Sequence, residues 1–456
     1  MSRIAVATLA VVALLLALRD SGFPRRETAP PERRLATLER MTLPRLQAVA
    51  GDVARLARRR RELPPPPGLR DWRVIFHAHA EDSAHTAGTR PEMLADAQRA
   101  GVSAIFLSDH FRPPRDFMDS WRGLREGVLF IPGSEWRGLL IHPQRSVMGS
   151  MEAPLEEFLA AVRADGGLAF LSHLEERPDH PMDQLDGLEI YNRHWDAKRE
   201  PAVLLGLALR LTSPAGLAEF REAVARHPAE LLGAGTHYPD NYLAKWDAEL
   251  AAGRRLTGVA ANDCHHNQVL ILTRLDENTA SLGTVVDPLE KRTRFTTVTR
   301  PGLREILRGH ADGAEVARFD LDPYHRAFLN VCTHVFAAEL TEPALRAAVR
   351  AGRVYVSHDW MGDATGFDFA VQDARGGTRG RLGDELPLAE AHRLVARFPL
   401  PCTRIRLIAD GRQVALGDGY ELAHRPHTPG AYRVEGWLRL DGEERIWVLS
   451  NPIYLR

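Results

Sequence analysis

The 456-residue chain holds 59 basic and 60 acidic side chains, a formal net charge of −1, with 44% hydrophobic and 26% charged residues. That length predicts two or three domains of roughly 100–200 residues, and the composition excludes bulk disorder, a collagen-like repeat and a polytopic membrane protein. Near-neutrality argues against a specific grip on nucleic acid, and three cysteines exclude a disulfide scaffold or a Cys-x-x-Cys zinc site. The departure from the ordinary is a count of 19 histidines.

Ile4 to Leu18 is an apolar run, broken only by Thr8, between Arg3 and Arg19. It is shorter than the ~20 residues of a membrane span and matches the apolar core of a signal peptide. Residues 1–22 are therefore expected to be a signal peptide or short membrane anchor, which makes the chain exported or membrane-anchored, with a periplasmic or other extracytoplasmic site favoured. Residues 1–70 carry 14 Arg against six acids, a net of +8 that leaves −9 for the remainder. Residues 23–70 read as a Pro/Arg-rich tether: Pro24, Pro30 and Pro31 open it, Pro64 to Pro67 stiffen its end, and helical pieces are expected between Leu35 and Glu62.

Short β-like runs then alternate with helical stretches. Val74 to Phe76 reads as a strand, and Thr89-x-x-Glu92 with Pro91 as a capped helix start. Strands follow at Ala104 to Leu107, Val128 to Ile131, Leu168 to Leu171, Leu188 to Tyr191 and Thr257 to Ala261, with a helix over Leu155 to Ala164. Repeated βα units predict a mostly parallel sheet or barrel, whose functional groups stand just past the carboxyl ends of strands.

The histidines stand there. His77 and His79 follow the first strand and His85 lies six residues on. Asp109-His110 follows the second, Glu135 the third, His142 the run Leu139 to Ile141, and His173 the strand at Leu168. Asp263 and His265 close the series. One histidine at a strand end is ordinarily a hydrogen-bonded structural residue. Seven at equivalent positions, with a Glu and an Asp, are the imidazole and carboxylate donors that divalent metals take.

Phe76-His77-Ala78-His79, the spacing to Ser83 and His85, Leu107-Ser108-Asp109-His110, Pro132-Gly133-Ser134-Glu135, Ser172-His173 and Asn262-Asp263-Cys264-His265 together resemble the PHP (polymerase and histidinol phosphatase) superfamily over roughly residues 72–300. The resemblance implies an α/β fold, a distorted (β/α)7 barrel over 71–350, with two or three divalent ions (Zn, Mn or Fe) at its C-terminal mouth. It implies His77, His79, Glu135 and Asp263 on one ion, Glu135 bridging to a second held by His142 and His173, and His85, His110 and His265 on a third.

Such a cluster generates hydroxide from bound water and clamps the oxygens of a phosphoryl displacement. The expected activity is therefore a metal-dependent phosphoesterase with metal-bound hydroxide as nucleophile. Its substrate would be a phosphorylated small molecule or a phosphodiester, and the membrane a partner only through the N-terminal segment. His194 and His237 are candidates for protonating the leaving group, and Arg112, Arg115 and Arg193 for gripping phosphate. Asp109 is read as a partner of His110 or of the strand-end backbone rather than a ligand, and Glu189 as either near the site or structural. The alternatives are hydrolysis of carbon esters or amides, and a non-catalytic metal-binding scaffold.

Past residue 350 the pattern changes to strands at Val354 to Val356, Phe367 to Val371, Leu394 to Phe398 and Ile405 to Ile408. Hairpin turns are expected at Asp410-Gly411 and Asp441-Gly442. This spacing predicts a small all-β, immunoglobulin-like sandwich over 351–456. Residues 302–353 are expected to hold helical segments, including Pro343 to Ala351, and Cys264, Cys332 and Cys402 to be free.

Overall fold

The computed structural model describes residues 35–118 and 121–456. The proposed leader at 1–22 and the start of the tether lie outside the described residues. The body opens with β1 (Arg70–Ala78), whose last five residues are buried. Next come β2 (Ala104–Phe106), β3 (Asp109–His110), β4 (Gly123–Arg125), β5 (Val128–Ile131) and β6 (Ser134–Trp136). After them run β7 (Leu139–His142), β8 (Leu168–Leu171), β9 (Gly187–Asn192) and β10 (Thr257–Cys264). The runs at β2, β5 and β8 are apolar throughout and wholly buried, as expected of strands covered on both faces.

β1 pairs in parallel with β2, β2 with β5, and β3 with β6. β8, β9 and β10 continue in parallel, and β10 returns to β1. β7 joins the two runs antiparallel to both β6 and β8, so the pairings form one continuous ladder. Val74, Phe76, Phe106, Leu140, Phe170 and Val259 pack together as one of its buried clusters, with Phe76 and Phe106 stacked at 4.4 Å.

Three regions add to the sequence expectation. Residues 37–57 hold the expected helical pieces, Thr37–Arg40 and Leu43–Ala57, and these lie on the body. Leu46 and Val49, one turn apart, are buried, and the Arg40 guanidinium forms a buried ion pair with Glu443. The stretch after β10 forms a separate antiparallel sheet. Its strands β11 (Val269–Arg274), β12 (Thr279–Thr284), β13 (Thr293–Thr296) and β14 (Glu315–Asp320) lie in the order β13-β12-β11-β14. The stretch at 302–353 holds the expected helical segments, Glu342–Arg350 among them, and adds β14 and β15 (Cys332–Ala337), where the apolar run Val335-Phe336 pairs along β1.

β16 (Val354–Ser357) links β15 to the C-terminal strands. These are β17 (Asp368–Gln372), β18 (Thr378–Arg381), β19 (Glu385–Leu386), β20 (Arg393–Ala409), β21 (Arg412–His424), β22 (Gly430–Leu440), β23 (Glu443–Ser450) and β24 (Ile453–Leu455). Two expected strands are one: β20 runs through Pro399 and Pro401, and its pairing shifts register between Arg397 and Cys402. Proline cannot donate to a ladder, so it sits where the ladder is interrupted. Asp410, Gly411, Asp441 and Gly442 all have positive φ, the conformation of two-residue hairpin turns. Among the described residues no single helix is long and apolar enough to cross a membrane.

Candidate metal centre

The site begins with backbone geometry at the strand ends. His77, His173 and Asp263 have φ of 59°, 48° and 47°, a left-handed conformation that non-glycine residues seldom adopt and that clusters at functional sites. At β1–β10 the register slips between Phe76↔Ala261 and Ala78↔Cys264. The slip lies where His77 and Asp263 depart from regular strand geometry.

Two groups of side chains result, each with its ligand atoms within 4.8 Å of one another: His77, Glu135, His173 and Asp263, and His79, His110 and His265. Glu135 lies between them. Its Oε2 is 3.4, 3.6 and 3.5 Å from Nε2 of His77, His79 and His110, and its Oε1 is 3.1 Å from Nε2 of His173. Asp263 is similarly shared, at 3.2 Å from His77, 3.5 Å from His79 and 3.6 Å from His173.

The other ring nitrogens face outward to acids. His77 Nδ1 donates to Glu189 at 2.6 Å. His79 and His110 both donate from Nδ1 to Asp82 Oδ2, at 2.9 and 2.7 Å. His173 Nδ1 donates to Glu175 at 3.2 Å. Glu189 is fully buried and also accepts from Ser172, the His173 amide and Asn192. This is the carboxylate–imidazole pairing that fixes a metal-binding histidine's tautomer and ring orientation. Nε2 of His77 and of His265 are buried without a hydrogen-bond partner, which a metal ion would satisfy, so the donor set fits divalent cations.

Electrostatics agree with a cation site. Burial opposes charge on His77, but Asp263, Glu135 and Glu189 outweigh it and hold the imidazole well above its ordinary range. Burial likewise opposes ionisation of Glu135 and Asp263. The charge of His77 and hydrogen bonds from neighbouring histidines nonetheless keep both carboxyls well below theirs. His265 lies at about 3, pushed down by burial and by the adjacent His79. Carboxylates held ionised among imidazoles in a buried pocket create a strong local demand for positive charge.

The sequence-derived candidates fall as follows. His85 stands at the edge of the second group, its ring 4.9 Å from His110 and 4.8 Å from His265. His79 groups with His110 and His265 rather than with His77. His194 joins the site, with Nδ1 3.0 Å from Asp263. Arg193 donates to Gln268 and lines the cavity of about 290 Å³ over both groups, together with His110, Glu135, His173 and Asp263. Arg115 turns to Asp109 at 3.7 Å. Arg112 lies near enough to His85 for its charge to help push that imidazole down, after burial and His110. Asp109 binds Arg90 and stays outside both groups.

Two candidates are corrected. His142 is not with Glu135 and His173: it is fully buried beside Phe106, with ring centroids 5.1 Å apart, and both ring nitrogens are unpartnered. The reason is direction. β7 runs antiparallel to its neighbours and pairs His142 with Leu168, the first residue of β8, whereas His173 follows the last. Gly133 is needed beside it, because a Cβ there would lie 2.1 Å from His142 Nδ1. His237 is drawn to Glu200 and Thr37, at 3.3 and 3.4 Å, away from both groups.

Asp82 and Glu175 carry no signal of their own in the pattern of strand-end histidines, although each follows one by two or three residues. Asp82 gives a direct test, because one carboxylate oxygen orients two imidazoles and an amide oxygen accepts more weakly. Asp82→Asn is expected to lower metal affinity about 10–100-fold, as read by competition with a chelating dye. Unchanged affinity would remove Asp82 from the centre.

A third group, Cys332, His334 and Asp359, is wholly buried. Its partners are protein: His334 Nδ1 donates to Asp71 and Nε2 to Asp359, and Asp359 also receives Arg73. It is a satisfied ionic network binding β1 to β15 and to the segment after β16, and it leaves no donor set open for an ion.

No protein-family model matches the chain, and no curated protein matches it. Among solved structures, a two-domain protein from Bacteroides vulgatus, described as containing a predicted PHP-like metal-dependent phosphoesterase, is similar at 13% identity. The match covers 86% of this chain and 98% of that one, with a TM-score of 0.33. At that similarity the chemistry has to be argued from this chain's own side chains.

Proposed function

We propose that this chain is a metal-dependent hydrolase of phosphate esters, its mostly parallel strands forming a distorted (β/α)7 barrel of the PHP kind followed by an immunoglobulin-like sandwich over about 351–456. The observation that carries the reading is the orientation of four imidazoles. His77, His79, His110 and His173 each give Nδ1 to an outer carboxylate and turn Nε2 toward Glu135. A purely structural network would have little need to surround one carboxylate with four imidazoles already anchored elsewhere.

In this reading His77, Glu135, His173 and Asp263 hold one ion, His79, His110 and His265 a second, and Glu135 reaches both. Bound Zn, Mn or Fe would supply Lewis acidity toward phosphoryl oxygens and a water deprotonated near neutral pH. The remaining work falls to side chains. Arg193, steadied by Gln268 at 3.0 Å, offers a planar guanidinium to two phosphate oxygens. His194, held at Nδ1 by Asp263 and 41% exposed as a side chain, returns a proton to the departing oxygen. Residues 1–22 are read as an export signal or anchor that places this chemistry outside the cytoplasm.

The test is a screen of the purified chain with Mn, Zn or Fe against p-nitrophenyl phosphate, bis-p-nitrophenyl phosphate and p-nitrophenyl acetate. Turnover of either phosphate ester is expected. Turnover of the acetate alone would transfer the site to carbon esters, and none with any substrate or metal would favour a metal-binding scaffold.

A further inference from the structure

A second cavity, of about 350 Å³, adjoins the metal centre, and Arg193, His194, Ala197, Asn267 and Gln268 line both. Its chemistry is the reverse of the first. Beyond Arg193 and His194 its wall includes Val203, Leu207, Phe220, Leu231, Leu270 and Leu321. Leu207, Phe220 and Leu231 belong to a buried core cluster, so this wall is core surface facing an opening. Protein cores are otherwise close-packed, and an apolar cavity with a few polar groups beside a reactive centre is the usual form of a ligand site.

Two observations indicate that the opening takes a ligand. Asn330 lines it, is 1% exposed, and has no hydrogen-bond partner for Oδ1 or Nδ2. A buried amide left so is costly unless something binds it. Leu204 lines it too and is 66% exposed, and Leu205 and Leu209 on the same helix are 60% and 38% exposed. The cavity thus opens to solvent along an apolar helix face, an arrangement that suits entry of an apolar group.

Building on the phosphoesterase reading, we propose that the substrate is amphiphilic: a phosphate ester whose phosphate lies at the metal centre and whose long apolar organic group passes Arg193 and His194 into the second cavity. Val203, Leu207, Phe220, Leu231, Leu270 and Leu321 strip water from that group. Asn330 offers its amide to a polar atom within it.

Binding tests this without turnover. The full chain, with manganese present, is titrated calorimetrically with methyl-, butyl-, hexyl- and octylphosphonate, whose P–C bond a phosphoesterase does not cleave. Affinity is expected to rise on the order of threefold to fourfold per added methylene until the cavity is filled. Val203→Trp and Leu270→Trp each place an indole in the cavity at a half-buried position. Each is expected to flatten the series to within about twofold between methyl and octyl, with circular dichroism confirming the fold. Equal affinity of the unsubstituted chain for methyl- and octylphosphonate overturns the proposal, as does a chain-length gain that survives both indoles. Failure of the phosphoesterase reading looks different: octylphosphonate then binds with its chain-length gain while octyl phosphate and p-nitrophenyl octyl phosphate both stay uncleaved.

Discussion

Glu135→Gln is expected to abolish the proposed metal-dependent phosphoesterase activity, by on the order of 10³-fold or more. That exceeds the ~10–100-fold typical of losing an outer carboxylate such as Asp82. The glutamine keeps the shape and removes the charge that lies within 3.1–3.6 Å of four imidazole Nε2 atoms. Both groups of ligands should weaken at once, since Glu135 is shared between them. A readout independent of turnover accompanies the rate. A ligand bound only by the native state at 1,000 times its Kd contributes about 4 kcal/mol of stability. Chelation should therefore lower the thermal midpoint of the unsubstituted protein and leave that of Glu135→Gln almost unmoved. Equal metal content in the two proteins would show that Glu135 is a structural acid.

The largest stability effect is expected away from the centre. Arg433 on β22 is 1% exposed and donates to both oxygens of Asp247, at 2.7 and 2.9 Å, and to Glu435 at 2.8 Å. Asp247 lies on the helix Asp240–Ala251, which packs against β9, so this ion pair joins the C-terminal strands to the strands that carry the site. Burial opposes charge on Arg433, yet Asp247 and Glu435 hold the guanidinium well above its ordinary range. Arg433→Met would leave Asp247 buried without that partner, and removing one member of a buried pair costs roughly 3–5 kcal/mol. Urea denaturation should read that loss, and adding Asp247→Leu should recover much of it, because an apolar pair removes the stranded charge. A loss below about 1 kcal/mol would mean that water reaches the site and screens it.

Much of the centre was legible from chain order. Histidines placed just past short apolar runs identify His77, His79, His110, His173 and His265, and Glu135 and Asp263 stand at the same kind of position. What local pattern does not contain is direction. The run Leu139-Leu140-Ile141 looks like any other buried strand, and only its antiparallel pairing with both neighbours sends His142 to the opposite end. Nor does it contain partners. Asp82 and Glu175 look like loop acids, and Glu189 like a strand residue, until the fold sets each against an imidazole Nδ1. The helices at Thr37–Arg40 and Leu43–Ala57 read as pieces of a tether because Arg40 finds Glu443 some 400 residues away.

The 19 histidines therefore divide by physics that acts at two ranges. The sequence by itself determined the kinds of ligand and their placement at strand ends, because side-chain chemistry and hydrophobic periodicity are local properties of the chain. Tertiary structure alone decided which of those ligands meet, which acids orient them, and that an apolar cavity opens beside them. Those outcomes depend on strand direction and on contacts between residues far apart in sequence, and no local pattern of residues specifies either.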